Sequence, residues 1–234
     1  KDFLLTSCCC PMWIAMIRKV YSQLTSHIPP SVSPMVACGR SIKKLYPGAV
    51  TVFIGPCLAK KAEAREPDVK DSTDFVLTFK EIQDVFDFAG INPDEMPEDE
   101  RDHSSMAGRI YASSGGVSHA VRSTVERLFP DMKLEVKTRH AEGVAACKQM
   151  LNMILEGKGD ANFYEGMGCV GGCVGGPKAL IPREQGRENV AQYGSEALYK
   201  TPIDNPYVIK LLRQLGIETI ENLIEHSDIF ERKF

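Results

Sequence analysis

Cysteine is the residue type that most clearly marks chemistry in this sequence, and its eight copies are unevenly placed. Three stand side by side in TSCCCPMW (6–13), one lies in GPCLAKKAE (55–63), and two lie four residues apart in EGMGCVGGCVGGPK (165–178). Adjacent cysteines are poor partners for one disulfide. A chain of 234 residues can bury a core without disulfides. The groups therefore predict metal or cluster ligation in a reducing compartment.

The third stretch surrounds its two cysteines with glycines. Glycine lets the backbone approach a bulky ligand and leaves amide N–H groups free to face anionic sulfur. A flexible linker with incidental cysteines is the alternative, but the apolar, cysteine-rich flanks argue against it. With Cys10 and Cys57, Cys169 and Cys173 complete four thiolates, the usual complement of an iron–sulfur cluster. Zinc also accepts four cysteines, although its structural sites usually draw ligands in close pairs, and only one close pair exists here.

A few other residues invite interpretation. Lys60 follows Cys57 by three residues and could donate hydrogen bonds to an anionic cofactor, whereas Lys61 is interpreted as part of a solvated helix start. Cys38 and Cys147 lie in helical patterns and are interpreted as small core residues. The five histidines show no metal-ligand spacing.

The composition limits the possible classes of function. With 43% hydrophobic and 25% charged residues, it is typical of a soluble globular protein. A net charge of −3 favours neither nucleic acid nor an anionic membrane surface as a partner. No apolar run has the length of a membrane span, and no signal peptide is visible. Because the chain begins at Lys1, we expect it to be cut from a longer protein.

Strand-like stretches alternate with helical ones. The predicted strands are DFLL (2–5), AVTVFI (49–54), DFVLT (74–78), GRIYASSGG (108–116), KLEVKT (133–138) and ANFYEGMGC (161–169). The run 49–54 is apolar and β-branched, which suits a strand buried on both faces. The alternation predicts an α/β fold with a mostly parallel sheet flanked by helices.

Helix signals lie between the strands. The predicted helices cover 11–26, 33–47, 78–90, 117–129 and 141–157, with two amphipathic segments at 205–216 and 218–227. Ser33 is placed to cap a helix that begins at Pro34. Thr78 and Glu81 have the spacing of a capping box, and Gly90 is placed to end that helix.

The cysteines have a common position relative to the strands. Cys8 to Cys10 follow the first predicted strand, Cys57 follows the second, and Cys169 and Cys173 follow the last. In parallel sheets, functional residues gather beyond the carboxyl ends of the strands. The sequence therefore predicts that the three groups meet in one site.

Taken together, the three cysteine stretches resemble the three signatures of the catalytic domain of iron-only ([FeFe]) hydrogenases. Those signatures have the general forms TSCCPxW, MPCxxKxxE and ExMxCxxGCxxGG, in the same order and at similar separations. The resemblance runs from about residue 3 to residue 176. It implies that residues 1–176 are part of a two-lobed H-cluster domain. Beyond it, the amphipathic segments predict that 177–234 form a helical C-terminal extension packed on that domain.

The resemblance also implies a cofactor, the H-cluster. This is a [4Fe–4S] cubane joined through a cysteine sulfur to a two-iron unit that carries CO, cyanide and a dithiolate bridge. The implied cubane ligands are Cys10, Cys57, Cys169 and Cys173, with Cys173 as the bridging thiolate.

Other roles are implied by position in the same signatures. Cys9 would be the free thiol that passes protons, which a ligand thiolate cannot do. Lys60 would hydrogen-bond a cyanide, with Pro56 beside it. Met167 would pack against the two-iron unit, and Ser114 would lie in a turn near the cluster.

The sequence departs from the family pattern in several places. Cys8 stands where serine is common, Gly55 stands where methionine is usual, and the third signature ends GGPK. This combination resembles a divergent, clostridial-type branch. The first lobe of the family domain precedes the first cysteine signature, and it would be supplied by the rest of the protein or by a second subunit. Without it, we expect an apo fragment or one half of a split enzyme.

The resemblance implies reversible reduction of protons to H₂ in the cytoplasm, with electrons from a ferredoxin or another redox partner and with maturation enzymes that build the cofactor. A sensory hydrogenase is one alternative. Another is a non-catalytic iron–sulfur protein of the cluster-assembly type, which resembles the family but lacks the proton-passing cysteine. The presence of Cys9 favours the enzyme.

Overall fold

The computed structural model describes residues 4–97, 103–133, 135–225 and 228–232. The strands are β1 (Leu5–Thr6), β2 (Val52–Gly55), β3 (Phe75–Thr78), β4 (Thr138–Glu142) and β5 (Phe163–Met167). The helices are α1 (Pro11–Val20), α2 (Pro34–Leu45), α3 (Ala59–Glu63), α4 (Phe79–Ala89), α5 (Met106–Arg109), α6 (Gly116–Leu128), α7 (Val144–Leu155), α8 (Arg183–Ser195), α9 (Pro206–Gln214) and α10 (Ile220–Glu225). The predicted α/β class is confirmed, and the described strands pair in parallel.

Within the described ranges, the larger sheet has three strands in the order β1-β5-β4. Every residue of β5 is buried, because helices cover both faces of this strand. Tyr164 points into a cluster with Trp13 of α1 and Leu151 of α7, whereas Phe163 and Met167 pack with Val117 of α6 on the opposite face. β5 is therefore the rigid centre from which the third cysteine stretch extends.

Gly166, at the centre of β5, lies directly against the indole ring of Trp13, and a Cβ at this position would overlap the ring. We expect Gly166→Ala to lower the free energy of unfolding by about 1–3 kcal/mol, because a fully buried tryptophan has no room to move aside. Urea unfolding of Gly166→Ala and of Gly108→Ala checks this. Gly108 is the control, since its nearest neighbouring atom would lie 3.5 Å from the new Cβ. Equal stability of the two variants would contradict the expectation.

In the described part of the chain, the smaller sheet consists of β2 and β3. The prediction that the strand at 49–54 is buried on both faces is wrong, since Val52 is 48% exposed and Ile54 is 44% exposed. One face packs through Phe53 and Val76 against the cluster built on α2. The opposite face is uncovered because no further layer of the described chain lies over it, and Phe75 is exposed there beside Val52.

Two predicted strands need correction. The stretch 108–116 forms no strand, because the Ser105 hydroxyl caps a short helix, α5, and a 3₁₀ turn at Ile110–Ala112 continues it. The strand predicted at 133–138 begins only at Thr138 and runs to Glu142, where it pairs with the whole of β5. Pairing with a buried central strand outweighs the local apolar alternation.

The helix signals are mostly confirmed. Thr78 and Glu81 form the capping box of α4, and Gly90 ends that helix with φ +66°. Ser33 precedes α2 as predicted, but its buried hydroxyl makes no capping bond. The first predicted helix changes to a 3₁₀ segment at Ser22–His27.

Of the two cysteines interpreted as core residues, one is confirmed and the other is wrong, and one helix was not predicted. Cys147 is a fully buried core residue, as expected, whereas Cys38 is exposed because it lies on the outer side of α2. Helix α8 was not predicted, since its sequence is mostly polar and carries no apolar stripe.

The segment after residue 177 packs on the rest of the chain in two places. Helix α8 lies along α5. Residues 228–232 return to the start of α2, where Ser31 and Glu231 form an antiparallel bridge. Within the described ranges, no helix combines the length and the apolar character needed to cross a membrane.

Candidate functional site

The cysteine-bearing loops meet in a cavity between the two sheets. The first and third cysteine stretches leave β1 and β5 of the larger sheet, and the second leaves β2 of the smaller one. The cavity has a volume of about 290 Å³. Its lining includes most of the predicted site residues: Cys9, Cys10, Pro56, Cys57, Lys60, Met167, Cys169 and Cys173.

Ser114 is placed differently from the other predicted site residues. It lies beside the glycine-rich loop, where its amide donates to the carbonyl of Gly171 at 3.2 Å, but it is not part of the cavity lining. Its buried hydroxyl has no hydrogen-bond partner among the residues that the structure describes. The structure therefore brings the predicted residues together around one space, with Ser114 behind the wall.

The four predicted ligand thiols line the cavity and do not converge on the position of a single metal ion. In the part of the chain that the structure describes, no three His, Cys, Asp or Glu side chains converge closely enough to hold one metal ion. All eight cysteines are free thiols. This arrangement suits a multinuclear cluster, in which each thiolate binds a different metal atom, better than it suits a single zinc ion.

Burial controls the protonation of these thiols. Desolvation, followed by the neighbouring Cys10 and Cys57 thiols, raises the pKa of Cys173 to about 12, against an opposing effect of Lys60. The pKa of Cys169 is raised for the same first reason, with Cys57 and Cys10 contributing. A bound metal cluster would reverse this, because coordination deprotonates a thiol outright. The donor set therefore fits a cluster that contains several metal cations.

Cys9 has surroundings unlike those of the four ligand candidates. It is only 8% exposed, and burial, followed by the adjacent Cys8 and Cys10, raises the pKa of its thiol. Tyr111 lines the same cavity, and burial, followed by the nearby Cys9 and Cys8, raises the pKa of its hydroxyl. At neutral pH, Cys9 is therefore a protonated thiol that faces the cavity. Tyr111 was missed from sequence because its stretch was predicted as a strand.

Lys60 enters the cavity wall from α3. Its ammonium donates to Glu63 Oε2 at 2.7 Å and to the carbonyl oxygen of Cys9 at 3.1 Å. The Lys60 side chain is 11% exposed and that of Glu63 is 2% exposed, so the ion pair is shielded from water. A lysine ammonium has three N–H donors. The two bonds leave one donor that can serve a group in the cavity.

The glycines of the third stretch allow close contact between backbones. Gly172 has φ +82°, and a Cβ there would meet the backbone at Ser114. A Cβ on Gly176 would meet Pro56, which follows β2. The glycine-rich sequence is thus what lets the loop of Cys173 lie against both neighbouring segments.

Two charged groups near the cavity were not predicted. Glu165 is fully buried and accepts hydrogen bonds from the amides of Gly115 at 2.9 Å and Ser118 at 2.7 Å, which fixes the start of α6 against β5. Arg109 lines the cavity with its guanidinium 3.8 Å from the centre of the Tyr193 ring on α8. Glu165 belongs to the third signature and could have been singled out, whereas the contact between Arg109 and α8 has no local sequence signal.

Comparison with known proteins places this geometry in context. The family profile described as "Iron only hydrogenase large subunit, C-terminal domain" matches residues 1–177. The chain is 30% identical over 215 residues to the periplasmic [Fe] hydrogenase large subunit of Nitratidesulfovibrio vulgaris, covering 74% of this chain and 51% of that protein. It is 26% identical to iron hydrogenase 1 of Clostridium pasteurianum, covering 82% of this chain and 41% of that protein.

A third relative is named as a cluster assembly factor and not as a hydrogenase. The chain is 22% identical to the cytosolic Fe-S cluster assembly factor NAR1 homolog of Schizosaccharomyces japonicus, covering 97% of this chain and 58% of that protein. The chain thus spans about half the length of the curated relatives it matches. Among solved structures, a variant of the [FeFe]-hydrogenase HydA1 from Chlamydomonas reinhardtii superimposes with a TM-score of 0.77 at 20% identity, covering 99% of this chain and 76% of that one. At this identity the likeness establishes a common fold.

Proposed function

Because the chain belongs to the family of iron-only hydrogenase large subunits, in its C-terminal domain, we propose that it carries most of the ligands of a catalytic iron–sulfur cofactor and takes part in the reversible reduction of protons to H₂. One observation carries the proposal. Four thiols from three strand ends surround a single cavity, and a fifth thiol, that of Cys9, faces the same cavity from a buried position.

We assign the residues as follows. Cys10, Cys57, Cys169 and Cys173 would hold a [4Fe–4S] cubane, and Cys173 would also bridge to a two-iron unit with CO, cyanide and a dithiolate. When bound, this group would supply the electrons and the iron on which protons are reduced.

The chain's own residues would prepare the cavity for that chemistry. Cys9 would hold a proton on its sulfur and deliver it into the cavity, which Tyr111 also lines. Lys60 offers its remaining N–H to an anionic group such as cyanide. Met167, Phe53 and other apolar side chains of the lining exclude water.

The partners follow from the same assignment. Electrons would come from a ferredoxin-like donor, and maturation enzymes would build the two-iron unit. The uncovered face of β2 and β3, with Val52, Ile54 and Phe75 exposed, supports contact with a further lobe of the same protein or with a second subunit. We also propose a cytoplasmic location, which the eight free cysteines support, although the relative from N. vulgaris is named as periplasmic.

A second candidate function is non-catalytic cluster assembly, since two proteins named NAR1 match 97% and 89% of the chain. Both functions would use the four ligand cysteines. They differ at Cys9, which has no role in simply holding a cubane but is required for passing protons.

The decisive measurement is infrared spectroscopy of the full-length protein produced together with hydrogenase maturation enzymes. We expect absorption bands from iron-bound CO and cyanide, accompanied by H₂ turnover with a reduced low-potential donor. The matched control is the same protein produced without those enzymes, which should show a cubane but no such bands. A fully matured sample with a cubane, no bands and no turnover would favour the cluster-assembly function instead.

A further inference from the structure

Lys60 is the inner end of a line of buried charges that leads away from the cavity. Glu63 Oε2 accepts from the Lys60 ammonium at 2.7 Å, and Glu63 Oε1 lies 3.6 Å from Nη1 of Arg232. The side chains of Glu63 and Arg232 are each 2% exposed. The Glu63 carboxylate is thus shared between two cations, with one oxygen toward each.

Arg232 reaches this position from the far end of the chain, beyond the part that matches the family profile. Its amide donates to the carbonyl of Pro30 at 3.1 Å. Arg40 holds the same tail by donating to the carbonyls of Ile229 and Glu231, at 3.3 and 2.8 Å. The tail is therefore anchored by contacts that do not involve Glu63.

Arg232 has ion-pair partners besides Glu63. Its guanidinium lies 3.0 Å from Asp68 and 2.6 Å from Glu66, whose side chains are about one-third exposed, at 32% and 35%. Those two carboxylates could satisfy the guanidinium at the protein surface. Fixing the tail therefore does not require burial of the contact with Glu63, and burying an ion pair adds little to stability.

The contact matters more for the distribution of charge around Lys60. If Lys60 were the only partner of Glu63, a fully buried carboxylate would hold the ammonium as its sole counter-charge. With Arg232 near the other oxygen, two cations share the negative charge of the Glu63 carboxylate. The Lys60 ammonium is then less fully neutralised and still attracts an anion on its cavity side. Glu63 and Arg232 thus determine how strongly the Lys60 ammonium attracts an anion in the cavity.

We propose that Arg232 is a positioning residue for Lys60 that acts through Glu63 and keeps the ammonium directed toward an anionic group in the cavity. The identity of that group as a cofactor ligand rests on the proposed function. The coupling among the three side chains does not, so the two ideas can be tested separately.

A double-mutant cycle on the full chain, prepared without iron, tests the coupling. Arg232→Gln and Lys60→Met are made singly and together, and the urea midpoint of unfolding is measured. We expect the double variant to lose more than the sum of the single losses, because only the double variant leaves Glu63 with no cation. In a Glu63→Gln background the losses should become additive. Additive losses with Glu63 present would overturn the proposal. Arg232→Met, which keeps the side-chain volume, replaces Arg232→Gln if that variant does not fold.

Arg40→Gln is the matched control, since it loosens the same tail without removing a charge next to Glu63. If the coupling between Arg40 and Lys60 is as large as the coupling between Arg232 and Lys60, then Arg232 serves only to hold the tail in place. That result would overturn the proposal. In protein reconstituted with iron and sulfide, the cubane midpoint potential gives a second readout. Arg232→Gln should lower it, and most of that shift should vanish in the Lys60→Met background. An equal shift in both backgrounds would overturn the action through Lys60.

A wild-type protein that forms no cubane would contradict the proposed function instead. The unfolding cycle would still decide the role of Arg232, since it needs no metal.

Discussion

Replacement of Cys9 by alanine is expected to lower H₂ turnover by about 10²- to 10⁴-fold, the usual contribution of a positioned acid–base group. The thiol is buried and protonated at neutral pH, it faces the cavity, and it stands next to a ligand candidate that has no proton to give. Alanine removes the proton carrier and only one sulfur atom of volume. The cofactor should therefore still assemble in the Cys9→Ala variant.

The experiment measures H₂ evolution together with iron and sulfide content in the matured, full-length protein. Cys38→Ala is the control, because Cys38 is an exposed cysteine on α2. Turnover at the wild-type rate in Cys9→Ala, with the cofactor loaded, would contradict the relay role. A loss of iron in parallel with the loss of activity would instead make Cys9 a residue needed for assembly.

The second large effect is expected from Cys57→Ala, which should lose most of the bound iron and sulfide. Cys57 is the one ligand candidate that follows a strand of the smaller sheet, so its removal leaves that side of the cavity without a candidate thiolate. Removal of one of four thiolates leaves one iron corner of the cubane open to water. Iron analysis and the electron paramagnetic resonance signal of the reduced cubane check the expectation after reconstitution.

Cys147→Ala is the matched control for this experiment. Cys147 is fully buried, and its thiol lies 3.4 Å from the carbonyl oxygen of Met167, but it does not line the cavity. It should keep its iron and lose only stability. Full cubane content in Cys57→Ala would show that Cys57 is not a ligand, and equal iron loss in both variants would point to a general folding defect.

The sequence predicted the parts of this molecule that have local causes. The capping box at Thr78, the strand β5 and the position of each cysteine group at a strand end all depend on a few neighbouring residues, and the structure confirms them. The strand at Thr138–Glu142 was displaced in the prediction because its pairing partner, β5, determines where it begins.

Other features have causes that lie far apart in the chain. The uncovered face of β2 could not be predicted, since an apolar run shows only that a face can be buried. Arg232 and Glu63 lie 3.6 Å apart although they are 169 positions apart in the sequence, so no sequence pattern near either residue marks the contact. Long-range charge pairs of this kind can be identified only from a structure that shows where residues 228–232 lie.

The position of the cavity between two separate sheets links cofactor binding to conformational order. Three candidate thiols extend from the larger sheet and the fourth from the smaller one. A cluster held by all four would act as a cross-link between the two sheets, which are otherwise joined by noncovalent packing and by the connecting segments of the chain. Part of its binding free energy would then appear as folding free energy, and the protein would gain rigidity in the same step in which it gains its redox centre.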